Sequence, residues 1–114
     1  MDFKISEKHN CIYVKLFGPE PWRLQDFYPM IDKMNIQINQ MYQKKKGSIV
    51  FNFLELNFLD SNVISMLVQT SRMAESEKNF IIVTNKEIIT LITPICIDKL
   101  FIICKTEEEW LNNN

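Results

Sequence analysis

The chain has 114 residues, 46% hydrophobic and 24% charged, and its 13 Lys+Arg against 14 Asp+Glu leave a net charge of −1. That is enough chain for one domain with one modest core, and the balanced charge argues against a nucleic-acid binder or a surface held to anionic lipid, both of which need a positive excess. No apolar run approaches the roughly 18–20 residues of a membrane span, and two glycines are too few for a Gly-rich phosphate loop.

Residues 3–8 and 11–17 read as two strands joined by a His9-Asn10 turn, an antiparallel hairpin. In the second strand Ile12, Val14 and Leu16 face one way and Cys11, Tyr13, Lys15 and Phe17 the other. Gly18-Pro19-Glu20-Pro21 breaks the pattern. Leu24, Phe27, Tyr28, Ile31, Met34, Ile38 and Met41 then recur at helical spacing, with Pro29 inside the pattern kinking the helix or delaying its start. Lys44-Lys45-Lys46-Gly47 suits its C-terminal end.

Ser48-Ile49-Val50-Phe51-Asn52-Phe53 is β-branched and aromatic, and reads as a buried central strand. After a connection over 54–59, Asp60-Ser61-Asn62 opens a second helix running to about Ser76, striped by Val63, Leu67, Thr70 and Ala74. Phe80-Ile81-Ile82-Val83 is a further buried strand. Thr84-x-x-Glu87 has the spacing of a capping box opening a short helix through Thr93. Leu100-Phe101-Ile102-Ile103 is the last strand, and Thr106-x-x-Glu109, a second capping box, opens a C-terminal helix with Trp110 and Leu111. The order β-β-α-β-α-β-α-β-α predicts an α/β domain over residues 1–114, with a mixed, mostly parallel sheet and right-handed crossovers.

The polar start Met1-Asp2-Phe3-Lys4 is not a secretory signal, and Cys11, Cys96 and Cys104 lack metal spacing, so a reducing cytoplasm is expected. His9 and Cys11 sit two apart across a turn with no orienting third group, which suits a turn histidine and a packed thiol better than a catalytic pair. Trp22, near two prolines, is a contact residue or an anchor under its loop. The lysine run 44–46 reads as a solvated helix end.

In open α/β sheets function gathers at the carboxyl ends of the strands. The outstanding cluster there is Asp60-Ser61-Asn62. Asp, Ser and Asn are all strong N-cap residues, so the run can be one cap with polar neighbours. It can also be a switch. A phosphate on Ser61 would meet free backbone N–H groups and the positive end of the helix dipole, so the fold would tolerate it. A partner packed over the site would meet repulsion and desolvation instead.

The stretch from Ile49 to Asn62 resembles the central motif of STAS domains, the family of the bacterial anti-sigma factor antagonists: an apolar strand, a short connection, then Phe-(Ile/Met)-Asp-Ser-(Ser/Thr)-Gly at a helix start. Phe80-Ile81-Ile82-Val83-Thr84-Asn85 and Ile97-Asp98-Lys99-Leu100-Phe101, which is similar to the family's Leu-Asp-Lys-Leu-Phe segment, extend the resemblance, as do the hairpin, Gly18 and the element order. The resemblance implies a STAS-like single domain that binds proteins and is not itself an enzyme. Ser61 stands at the position phosphorylated by an anti-sigma factor with serine-kinase activity and reset by a serine phosphatase. Phe58, Asp60, Ser61, Asn62 and Ser65 would meet the partner. No cofactor, nucleic acid or membrane enters. Asn62 and Val63 stand where the family carries a second hydroxyl and a glycine, which suits the alternative of a constitutive STAS adaptor in a signalling or transporter complex, with Ser61 only a cap.

Overall fold

The computed structural model of the chain describes residues 2–17, 24–44, 47–56, 61–73, 80–95 and 101–112. Strands β1 (Asp2–Lys8) and β2 (Cys11–Phe17) form a hairpin. Its turn residues, His9 and Asn10, have φ of 53° and 63°. Two successive positive φ values match the right-handed twist of the flanking strands, and Asn tolerates them better than most residues. Then follow α1 (Leu24–Lys44), β3 (Ile49–Asn52), α2 (Ser61–Met73), β4 (Phe80–Val83), α3 (Lys86–Ile92), a 3-10 turn over Thr93–Ile95, β5 (Ile102–Cys104) and α4 (Glu107–Asn112). The sheet runs β1-β2-β3-β4-β5, antiparallel in its first pair and parallel in the other three. The expected element order and the mixed sheet both hold.

Because the parallel strands advance steadily in one direction, right-handed crossovers place every intervening helix on the same face. Met34, Ile38 and Tyr42 of α1, Val63, Met66 and Leu67 of α2, and Ile88 and Ile92 of α3 accordingly share one core with Ile12, Val14, Leu16, Ile49, Phe51, Phe53, Phe80, Ile82 and Phe101. Phe51 stacks on Phe80 at 5.6 Å between centroids, and Phe80 lies 5.6 Å from Phe101. The opposite face carries a smaller cluster, Cys11, Tyr13, Val50, Ile81, Val83 and Cys104, covered by Trp110 of α4. All four residues of β3 and of β4 are buried, as expected of strands covered on both faces.

Several boundaries differ from the sequence expectation. The central strand is shorter than residues 48–53, because Phe53 leaves the ladder after one last bond from its N–H to the Val83 carbonyl at 2.8 Å. The last strand lies further along than 100–103, and Phe101 is a buried residue just before it. Helix α1 begins at Leu24 and continues through Pro29, which costs it one backbone hydrogen bond.

Thr84 does not cap α3. Its N–H continues the sheet toward the Cys104 carbonyl at 2.9 Å, and its hydroxyl is fully buried. The extended residue at the helix start is Asn85 (φ −98°, ψ 173°), whose side chain accepts from the Ile88 N–H. The box at α4 forms, shifted by one residue on its return arm: Thr106 accepts from the Glu109 N–H at 3.0 Å, and the Glu109 carboxylate accepts from the Lys105 N–H at 3.2 Å. The expected helix residues 74–76, Lys45, Lys46, the Gly18–Pro21 break, Trp22, Cys96 and the 97–100 segment lie outside the described residues.

Candidate functional site

The carboxyl ends of β2, β3, β4 and β5 lie along one rim of the sheet, and the segment leaving β3 there is held from three sides. The Asn52 side-chain oxygen accepts from the Leu54 N–H at 2.9 Å, an Asx turn that bends the chain out of the strand. The Leu56 N–H donates to the Phe53 carbonyl at 3.0 Å, closing a four-residue turn. Phe53 and Leu56 are buried in the main core, while Leu54 and Glu55 face outward. From the connection between β4 and α3, the Asn85 amide donates to the Leu56 carbonyl at 2.6 Å and to the Leu54 carbonyl at 3.3 Å, while its oxygen caps α3. One asparagine thus starts a helix and clamps a neighbouring turn.

Helix α2 starts with Ser61, so the sequence-predicted hydroxyl belongs to a helix N-terminal residue. Ser61 and Asn62 are described in backbone only, and Phe58 and Asp60 lie outside the described residues. The first turn of α2 carries no acidic residue, which leaves its positive dipole end uncompensated from within the turn. Ser65, one helical turn beyond Ser61, is exposed, as are Gln69 and Arg72 further along. Val63 is fully buried in the main core, so its branched side chain fills the interior and leaves that outer stripe clear.

The sequence reading missed a polar group on the opposite side of the sheet that meets the same rim. The Tyr13 hydroxyl donates to Glu107 Oε1, the Asn52 amide donates to the Tyr13 Oη at 2.6 Å and to Glu107 Oε1 at 3.2 Å, and Lys8 Nζ stands 3.5 Å from Glu107 Oε2. Lys8 also lies over the Tyr13 ring, 4.8 Å from its centroid. Trp110 stacks on Tyr13 at 5.6 Å, and His9 meets the indole edge-on at 5.7 Å. Burial, followed by the Glu107 acceptor, pushes the Tyr13 phenol up to about 12. The Tyr13 hydroxyl, with Lys8 assisting, holds the Glu107 carboxyl below its usual range. The signal for this group was present: Asn52 is an amide inside a buried apolar strand, and a buried amide needs partners.

The Cys11 thiol donates to the His9 carbonyl at 3.5 Å, and burial pushes its pKa up, so it stays protonated and packed. Lys15 and Glu55 form a surface pair at 3.0 Å, worth little on its own. Among the described residues no group of three or more His, Cys, Asp or Glu could hold a metal ion, and no helix is long and apolar enough to cross a membrane. Comparison of the chain with protein-family models, with curated proteins and with solved structures finds no match.

Proposed function

We propose that the chain is a STAS-like protein-binding module of the anti-sigma-factor-antagonist kind, with Ser61 as a phosphorylation switch. One observation carries this reading: Ser61 is the first residue of α2, the helix that follows the buried strand β3 and its clamped turn in the chain, and the first turn of that helix holds no acid. A phosphate there would face the positive end of the helix dipole, so the host fold bears it at little cost. A protein docked over Ser61 and the exposed Ser65–Gln69–Arg72 stripe would have to desolvate two negative charges. The sheet order supports a surface role over a small-molecule cleft, because its strands never reverse direction of addition and so make no switch-point crevice. The phosphoryl-transfer chemistry belongs to a partner kinase with its own nucleotide and metal, and a serine phosphatase would reset the switch.

The test is incubation with ATP and a candidate anti-sigma kinase from the native host, followed by intact-mass spectrometry. The expected result is one added phosphate on wild type and none on Ser61→Ala. Unmodified wild type, or undiminished modification of Ser61→Ala, would refute the switch. Asn62 and Val63 favour one other reading, a constitutive adaptor in a signalling or transporter complex. There Ser61→Asp would leave partner affinity unchanged, since an acid in the first turn of a helix suits its dipole as well as Ser does. A switch would lose affinity sharply.

A further inference from the structure

Asn52 is nearly fully buried and uses both ends of its amide for different purposes. Its nitrogen donates to Tyr13 and Glu107, and so reaches the start of α4. Its oxygen accepts from the Leu54 N–H, and so sets the turn that leads toward α2. An amide is planar, so its two ends cannot reorient independently. A displacement of Glu107 removes one of the two acceptors at the nitrogen end and the acceptor that fixes the Tyr13 hydroxyl, so the whole amide, including the oxygen end on Leu54, is held less firmly.

We propose that α4 is a latch on the β3–α2 connection: the C-terminal helix docks on the second face of the sheet, and its docking and the turn over residues 53–56 hold each other in place through Asn52. Helix α4 is suited to release. It has six residues, too few to persist as a helix without packing. Its hold on the sheet is one indole, Trp110, on a small cluster, plus the Glu107 group. The indole Nε1 is buried with no hydrogen-bond partner among the described residues, so docking is opposed by a desolvated donor. The latch rests on the reading proposed above to the extent that the start of α2 is the partner face: a partner or condition that withdraws α4 would then loosen the segment that presents Ser61.

The test is amide hydrogen exchange on the full chain, comparing Leu54 with the core strand residue Ile82. In Glu107→Ala, whose side chain is partly exposed, the Leu54 amide is expected to exchange several-fold faster relative to wild type, with Ile82 changing much less. Coupling free energies are reciprocal. Asn52→Ala, made in a Trp22→Phe background so that Trp110 is the sole tryptophan, is therefore expected to raise acrylamide quenching of Trp110. Tyr13→Phe keeps the ring stack on Trp110 and removes only the linking hydroxyl. It serves should Asn52→Ala fail to fold, with the same direction of change in both readouts. Leu54 accelerating no more than Ile82, or Trp110 quenching unchanged, would overturn the latch. Neither readout involves a partner, so the two readings fail separately. Coupled amides with a Ser61 that takes no phosphate keep the latch and refute the switch, and a phosphorylated Ser61 with uncoupled amides does the reverse.

Discussion

Replacing Asn85 by alanine removes two separable contributions, and serine restores only one of them. The side-chain oxygen caps α3 through the Ile88 N–H at 3.0 Å, and losing such a cap costs about 1 kcal/mol. The amide nitrogen donates to the Leu56 carbonyl at 2.6 Å, worth about 1 kcal/mol net, with little added by the longer contact to Leu54 at 3.3 Å. Asn85→Ala should therefore lose about 2 kcal/mol. With a urea m-value of about 2 kcal/mol/M, that lowers the unfolding midpoint by about 1 M without changing the slope. Serine is a good cap but too short to donate across to the turn, so Asn85→Ser should recover about half the loss. Amide exchange localises the rest: in the serine variant Ile88 keeps its protection, and the Leu56 N–H, which closes the turn onto the Phe53 carbonyl, exchanges faster once the clamp on that turn is gone. Full recovery by serine would refute the clamp, and an alanine variant as stable as wild type would refute both contributions.

A Cβ on Gly47 would stand 3.0 Å from the Asn10 carbonyl in the hairpin turn, so Gly47→Ala should cost about 1 kcal/mol and lower Tm by about 4 °C, read by thermal unfolding. The Thr84 hydroxyl is buried without a partner among the described residues. Thr84→Val should leave the urea midpoint unchanged or raise it, and a clear loss would reveal an acceptor for that hydroxyl. The polar group at Tyr13 sets both ends of the pH profile. The phenol is raised from 10.0 to about 12, so its contribution is complete below pH 10 and is lost as pH climbs toward 12; Glu107 is lowered, so its contribution is complete above the ordinary carboxylate range and is lost as pH falls through its depressed value. Tyr13→Phe should flatten the alkaline limb of a midpoint-against-pH plot and move the acid limb upward, and an unaltered alkaline limb would exclude Tyr13 as its source.

Most of the architecture was legible because burial writes a period into the chain. Ile12, Val14 and Leu16 alternate with Cys11 and Tyr13, and the structure sends the two sets to opposite faces. The uninterrupted apolar runs at 49–51 and 80–83 became strands covered on both sides. Caps were less legible, because they depend on where a strand lets go. Thr84 and Asn85 both have cap chemistry, and Thr84 lost the role because the ladder between β4 and β5 still claims its N–H.

The site divides along the same line. A serine at the start of α2 was readable from adjacent residues, since Asp60-Ser61-Asn62 is a local signal. The group that holds the approach to it was not, because Tyr13, Asn52 and Glu107 are separated by 39 and 55 residues and meet only when β2, β3 and α4 converge on one rim. Periodicity reports which side of an element is buried, and it carries no information about which distant side chain will satisfy a buried amide. What could be inferred from Asn52 alone is that a partner must exist, because an unpaired amide in that strand would cost more than such a strand can supply. Its identity follows from topology: β2 pairs with β3 in a register that sets Tyr13 beside Val50 and Lys15 beside Asn52, and α4 then has one open face on which to lie.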